Sequence, residues 1–393
     1  MTHPRKVALL VETSNAYGRE LLHGIRAWLR EHPSWTISLG EAQRGAPPPA
    51  WLKHWKGDGI IARIETQAIA EAVVATKLPV VDLSAARLAP RVPWMETNDR
   101  AIARLAVEHL QERGFRNFAY CGDPRFNWSQ WRGQAFVAHL ASLGFPCHVF
   151  GPTGEKEPSD SIPNLDSDMT ALVRWIKRLP RPVAIFACYD IRGMQVLEAC
   201  RYLEVHTPDE VAVLGVDNDE LLCDLADPPL SSIIPDGRRT GYEAAAMLDR
   251  LMGGERLQDE GRLFDPRGVA VRLSTDVIAV QDRHIAAAVR YIRENACTGI
   301  TVSDIVANIP LSRRVLETRF RKCLGCSPHD QILRVKLDRV KRLLIETDLP
   351  LSAIADRTGF AHVEYLSVAF KKHVGRTASE FRQVAVAPVQ QPG

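Results

Sequence analysis

No apolar run in the 393 residues approaches the roughly 18–20 that a membrane-spanning helix needs. The nearest thing to a leader is Arg5-Lys6 before Val7-Ala8-Leu9-Leu10-Val11, which Glu12 stops short of the roughly 7–15 apolar residues of a signal peptide. The chain is therefore expected in the cytoplasm, without a membrane partner. Its eight cysteines are scattered and lack the spacing of a disulfide framework. Cys323-Leu324-Gly325-Cys326 has a spacing that carries chemistry, but zinc would want a second such pair or paired histidines, and neither is present. No G-x-G-x-x-G follows the first strand-like segment, no phosphate-binding loop occurs, and no catalytic carboxylate pair is identifiable. No catalytic residue, cofactor or metal is expected, and the chain does not read as an enzyme.

What is present is an ordinary globular balance, 46% hydrophobic and 25% charged, in a chain long enough for two or three cores. The net charge of +3 hides an asymmetry. Residues 284–393 hold 17 Lys+Arg against 10 Asp+Glu, and the preceding 283 hold 33 against 37. A basic end on a slightly acidic body points to a polyanion partner at one end only.

Up to about residue 275, short apolar runs alternate with amphipathic stretches. Val7–Val11, Gly59–Ala62, Leu78–Leu83, Phe118–Cys121, Cys147–Phe150, Val183–Cys188 and Val211–Val216 read as strands. Helices are expected over Arg19–Arg30, Thr66–Ala75, Asp99–Arg113, Trp131–Leu143 and Asp166–Arg178, and after the strand Val183–Cys188 through Tyr202. This is the rhythm of parallel sheets covered on both faces. Two such halves, breaking near Arg113-Gly114, predict two lobes around a cleft. Function in such folds collects beyond the carboxyl ends of strands. There the sequence offers Asn15 and Tyr17, Asp82, Tyr189-Asp190 and Asp217-Asn218, with Trp128 and Trp131-Arg132 at a helix start. Carboxylates, amides and a guanidinium beside aromatic rings suit a sugar, whose hydroxyls both donate and accept. Taken singly, such residues are more often helix caps or core.

Residues 5–276 resemble the sensor domain of the lactose-repressor family and of periplasmic ribose-type binding proteins. The matching stretches are Thr97-Asn98-Asp99, Glu108-His109-Leu110, Arg113-Gly114-Phe115, Arg132–Phe136, Ala184–Asp190, Val213–Asn218, Leu230–Ile233 and Arg272–Thr275. The resemblance implies that Arg132 and Asp217 bind sugar hydroxyls, that Asn15 and Tyr17 line the same cleft, and that the chain crosses between lobes three times. Tyr189 and Pro235 depart from the family at positions that normally face ligand. That family carries its DNA-binding helices before the first strand, so here such a unit is expected elsewhere.

It is expected in residues 284–393, where strands vanish and a repeat emerges. Leu316, Phe320, Leu324 and Gly325 return as Leu366, Phe370, Val374 and Gly375, each shifted by 50 residues. Each copy reads as helix, turn, helix, over 301–324 and 351–374. Thr301 or Ser303, Ser312 and Ser352 are candidate caps, and a rigid spacer helix covers Asp330–Ile345. The apolar stripe of each second helix faces inward. Arg313, Arg314, Glu317, Thr318 and Arg321 then face outward in the first copy, and His362, Val363, Glu364, Ser367, Val368 and Lys371 in the second. Base edges are expected against the N-terminal halves, and phosphates against Arg321, Lys322, Lys371 and Lys372. This segment is similar to the AraC (arabinose-operon-regulator) family through Ile354-Ala355, Gly359-Phe360, Tyr365-Leu366, Phe370–Lys372, Gly375–Thr377 and Phe381-Arg382. Ala378, Leu366 and Pro310 are departures.

The expected architecture is an α/β two-lobed periplasmic-binding-protein-like sensor over 1–276, a linker over 277–283, and an all-α domain over 284–393 with two helix-turn-helix units. The lobes are read as 5–113 with 236–255, and 114–235 with 262–276. A sensor and a reader in this order resemble the xylose-operon regulator family. That resemblance implies D-xylose as effector, a homodimer on double-stranded promoter DNA, activation of pentose-use genes, and RNA polymerase as a further candidate partner. Another small sugar or polyol, or a sugar-binding module whose tail serves only assembly, remain the alternatives.

Overall fold

Strands in which every residue is buried need cover on both faces, and neither Val183–Ala187 nor Val211–Val216 has an exposed position. The computed structural model describes residues 4–32, 35–40, 46–84, 86–151, 166–255, 261–276, 282–347 and 349–386. It meets that need with two sheets flanked by helices. The order is β1 (Arg5–Leu10), α1 (Ala16–Glu31), β2 (Trp35–Leu39), β3 (Gly59–Ala62), α2 (Gln67–Ala75), β4 (Val80–Asp82), β5 (Trp94–Thr97) and α3 (Asp99–Glu112). Then follow β6 (Phe118–Cys121), α4 (Asn127–Ser142), β7 (Cys147–Phe150), α5 (Ser167–Arg178), β8 (Val183–Ala187), α6 (Asp190–Tyr202), β9 (Val211–Val216) and α7 (Glu220–Leu225). The unit closes with β10 (Ser231–Ile234), α8 (Gly237–Met252), β11 (Gly261–Phe264) and β12 (Gly268–Ala270).

One sheet runs β11-β5-β4-β3-β1-β2 and the other β12-β10-β9-β8-β6-β7. Each is the core of one lobe. Among the described residues the chain passes between them after β5, after β10 and after β11. These passages lie side by side: the Asn98 amide donates to Phe264 O at 2.8 Å and the Arg267 amide to Ile234 O at 2.8 Å. Asn98 Nδ2 adds a bond to Asp265 Oδ1 at 2.7 Å.

Two lobe assignments differ from the sequence reading. Helix α3 packs on α4 and reaches β12, so residues 98–113 belong with the second sheet, not the first. Its buried stripe of Ala103, Ala106, Val107 and Leu110 is small enough for close helix approach, and amphipathic spacing cannot say which sheet a stripe will meet. Strand β11 pairs in parallel with β5, from Gly261↔Trp94 to Phe264↔Thr97, so residues 262–264 stay with the first lobe. Gly261 permits this, since a Cβ there would stand 1.9 Å from the Trp94 ring.

The chain divides by contact into units of residues 1–277 and 278–393. Residues 277–281 of the expected linker lie outside the described residues; Asp282 already caps the first helix of the second unit. That unit is helical: α9 (Arg283–Asn295), α10 (Val302–Asn308), α11 (Arg313–Leu324), α12 (Pro328–Glu346), α13 (Leu351–Arg357), α14 (Val363–Val374) and α15 (Ala378–Val386). The repeat has a plain physical form. Both α11 and α14 end on a left-handed glycine, Gly325 at φ 71° and Gly375 at φ 81°. Thr301 caps α10, and Ser327 caps α12 in a reciprocal box with Asp330. The cap expected from Ser352 falls instead to Pro350, whose fixed φ suits a helix entry, so Ser352 lies inside α13. Leu337, Val340, Leu344, Ile354, Phe360, Leu366 and Phe370 share one core, which makes α12 the floor of the second helix-turn-helix unit.

His109 fastens α3 to the end of the first unit: its Nε2 meets Thr275 Oγ1 at 2.9 Å, and Arg113 Nε donates to Thr275 O at 2.7 Å. Burial, with Arg113 alongside, pulls the imidazole from its ordinary 6.5 down to about 3. The folded state thus holds a neutral ring that the unfolded chain protonates. Its contribution is complete above pH 6.5 and is lost as the pH falls from there towards 3. The melting temperature should therefore drop between pH 7 and pH 4, and His109→Gln should flatten part of that drop. Parallel melting curves for wild type and variant across the window would contradict the assignment.

Candidate ligand cleft and nucleic-acid interface

Glu12 stands just beyond β1, in the turn into α1. There Asn15 accepts from the Gly18 amide at 2.8 Å and donates from Nδ2 to Glu12 Oε1 at 2.9 Å. This cap sets Tyr17 facing inward under the Arg63 guanidinium, 5.2 Å from the ring centre. Arg63 follows β3 directly. Its Nη1 donates to Glu12 Oε1 at 2.5 Å and its Nη2 to Glu65. Leu83 follows β4, and β5 supplies Glu96 and Thr97. The other lobe contributes Trp128 and Arg132 from α4 and Asp217 from the end of β9. Arg132 donates from Nε to Asp99 Oδ1 at 2.7 Å and from Nη1 to Cys188 O, with Trp128 at 5.2 Å from its guanidinium. These side chains enclose a cavity of about 30 Å³ between the lobes.

The cavity wall is polar and unsatisfied. Arg63 Nε and Glu96 Oε2 are buried and have no hydrogen-bond partner among the described residues, and buried Tyr17 Oη has Thr240 beside it without a well-formed bond. A buried polar group left unmade costs about 1–3 kcal/mol, more when charged, so three on one wall require an account. A hydroxyl, a guanidinium N–H and a carboxylate oxygen form a mixed donor and acceptor set that polyol hydroxyls can meet. Burial raises the Tyr17 pKa well above its ordinary value, which keeps that hydroxyl protonated. The facing wall carries backbone strain. Asp217 at φ 108° and Asn218 at φ 48° are consecutive residues in a region L side chains avoid, costing about 1–3 kcal/mol each. The turn is held by Asp217 N to Ile233 O at 3.1 Å and Asn218 N to Ser232 Oγ at 3.0 Å. Its outcome is a carboxylate at the cavity.

Of the residues offered for ligand contact, Tyr17, Trp128, Arg132 and Asp217 line the cavity. The others surround it. Asn15 is the α1 cap. Asp82 folds the turn after β4, accepting from Ile64 N at 3.1 Å and Ser84 N at 2.9 Å, and burial pushes it up to about 7. Asp190 accepts from Ser232 Oγ at 2.5 Å and Asp219 N at 2.8 Å; burial, then nearby Asp217, raises it. Asn218 receives Arg272 Nη1 at 2.9 Å. Tyr189 packs edge-on behind Trp128 at 5.8 Å, and Trp131 stands at the rim. In each case a nearer protein partner claims the group that the sequence offers to ligand.

In the second unit, Arg313, Arg314, Glu317, Thr318, Arg321 and Lys322 are exposed on α11. Arg313 Nε pairs with Glu317 Oε1 at 3.0 Å, so Arg314 is the arginine of that first turn left to reach outward. His362, Glu364, Ser367, Val368, Lys371 and Lys372 are exposed at and along α14. Val363 is the exception, half-buried against Phe370 and its neighbours. Apolar side chains also stand outward: Tyr365 is 50% and Val368 66% exposed. On a helix with three basic residues in its last turn, such groups suit thymine methyls and sugar edges better than bulk water.

Residues 6–100 match the XylR N-terminal domain, 107–275 the periplasmic binding protein-like domain, and 305–384 a helix-turn-helix domain. The xylose operon regulatory protein of Escherichia coli K12 is 31% identical over 391 residues, covering 98% of both chains. That of Haemophilus influenzae is 30% identical, covering 96% of this chain and 98% of its own. The chain belongs to the xylose operon regulatory protein family. A solved structure titled for the xylose-binding transcription activator XylR matches at TM-score 0.79 and 30% identity, over 97% of this chain and 98% of that one. The regulator CelR in complex with cellobiose shares the sensor fold, at TM-score 0.55 and 20% identity over 70% of this chain.

For this family member, sequence reasoning missed Arg63 and Glu96, which supply two of the three unsatisfied atoms. A signal existed for Arg63: it follows the buried run Gly59–Ala62 at a strand's carboxyl end, where function collects. Tyr17→Phe tests the cavity wall. Removing a buried hydroxyl that lacks a well-formed bond should leave the melting temperature unchanged or raised. It should weaken a sugar that the wild type binds by about 1 kcal/mol, roughly fivefold in titration calorimetry. A lower melting temperature with unchanged affinity would place the hydroxyl in the fold and not in the site.

Proposed function

We propose that the protein is a sugar-responsive, DNA-binding transcription regulator that takes D-xylose in its cleft and activates pentose-use genes, acting as a homodimer in the cytoplasm. The cavity carries the reading: donors and acceptors left unsatisfied on one wall, with a strained carboxylate and a buried arginine on the other. A reader that senses a polyol needs such a site, and its output lies in the second unit, where two matched helices expose polar and basic side chains. The xylose regulators among its relatives, matched over nearly the whole chain, support xylose as the sugar. Sugar would act by its differential affinity for the closed sensor, biasing how two protomers present their reading helices to promoter DNA. RNA polymerase is the partner an activator would then recruit.

Arg132→Ala and Asp217→Ala should each abolish D-xylose binding in calorimetry, while affinity for promoter DNA without sugar survives in a gel shift. Undiminished sugar binding in both would remove the site assignment.

The two basic contacts should separate in a salt series. Arg314→Ala is expected to relax preference at one base step, by roughly 1–3 kcal/mol. Lys371→Ala should weaken all sequences alike and flatten the dependence on salt. Identical behaviour of the two variants would show the division between base and phosphate contacts to be wrong.

A further inference from the structure

Arg87 lies on the loop after β4 at φ 50°, a backbone setting unusual for its type. Its guanidinium serves three partners. Nη2 donates to Glu96, whose other carboxylate oxygen is the unsatisfied atom at the cavity. The Trp94 ring lies 3.7 Å away, two residues before Glu96 on β5. The third partner is Trp131 on α4, in the opposite lobe, at 5.3 Å. Beside it Asn127 Nδ2, also of α4, donates to Ala86 O at 3.3 Å. The first lobe therefore fixes Arg87 by charge and by the Trp94 ring, and the same guanidinium meets an aromatic ring across the cleft. The side chain is 42% exposed while Glu96 is buried, so the contact sits at the rim, where it can part without stranding a charge in the interior.

We propose that Arg87 is the clasp of the cleft: it shuts against Trp131 over a bound sugar, sets how long the sugar stays, and positions Glu96 for a ligand hydroxyl. This rests on the reading of the cleft as a sugar site. A planar cation beside an indole from each lobe is favoured by ring electrostatics and by partial removal from water. Because the contact forms only when the lobes meet, its loss should appear in escape of ligand and not in capture.

The test uses the full chain. A panel of D-xylose and other pentoses and hexoses is titrated calorimetrically, and the sugar that binds is followed by stopped-flow tryptophan fluorescence. Arg87→Met and Trp131→Leu should each speed dissociation roughly tenfold, with association within about threefold of wild type. The double variant should dissociate no faster than the faster single one, since both remove the same contact. Arg87→Lys should fall between, keeping charge for Glu96 but losing the planar stack. Were Arg87→Met not to fold, Arg87→Lys and Trp131→Leu would decide, one from each lobe. Unchanged dissociation, effects that multiply in the double variant, or a change confined to melting temperature would overturn the clasp alone. A wild-type chain that binds none of the sugars would overturn the functional reading and the clasp with it.

Discussion

Arg63 and Arg132 bury their guanidinium groups on facing walls of one small cavity, and each is neutralised by its own lobe: Glu12 and Glu65 hold the first, Asp99 the second. A buried charge stripped of its partner costs several kcal/mol. Had the pairs been formed across the cleft, opening it would carry that cost twice. Because they are formed within each lobe, opening strands no buried ion. Among the described residues, lighter contacts join the lobes, including Arg19 to Asp219 at 3.0 Å, Asn127 to Ala86, and Arg87 against Trp131. The three chain passages then act as the fixed axis, and occupancy of the cavity becomes the term large enough to decide the balance.

The strands of the sensor were legible wherever burial is complete, because a continuous apolar run bounded by turn residues admits few other structures. The short β2 and β5 were not, since Trp35–Leu39 and Trp94–Thr97 each mix exposed or charged residues with apolar ones. Lobe membership was less legible still. It depends on which sheet a helix finds, and the stripe on α3 would fit either. The site divides along the same line. Arg132 and Asp217 were found through a family pattern, whereas Arg63 and Glu96 look like ordinary charged surface until β3 and β5 bring them to one cavity.

The reading helices were legible for a different reason. A repeat of 50 residues doubles every weak signal, so paired glycines and paired phenylalanines fixed two units where one would have been ambiguous. Detail failed where local chemistry offers equivalent solutions. Pro350 and Ser352 can each begin a helix, and the proline prevails because its locked φ precedes a run that already packs through Ile354 and Ala355. Val363 lies one turn before Leu366 and Ser367, near the seam between inward and outward faces, and its methyl groups settle toward the core.

Cavity size bears on mechanism. About 30 Å³ holds roughly two water molecules, far less than a pentose. The wall offers Tyr17, Arg63 and Glu96, whose buried polar atoms two waters could meet. A shut cleft therefore has room for water at these groups but not for a pentose. On the proposed reading, a sugar reaches them only if the lobes first part and then close around it. Tyr189 and Pro235, where the family pattern is broken, do not line this cavity. On the proposed reading, discrimination among sugars falls to the groups that do, and a ligand lacking a hydroxyl opposite any of them would leave that group buried and unpaired.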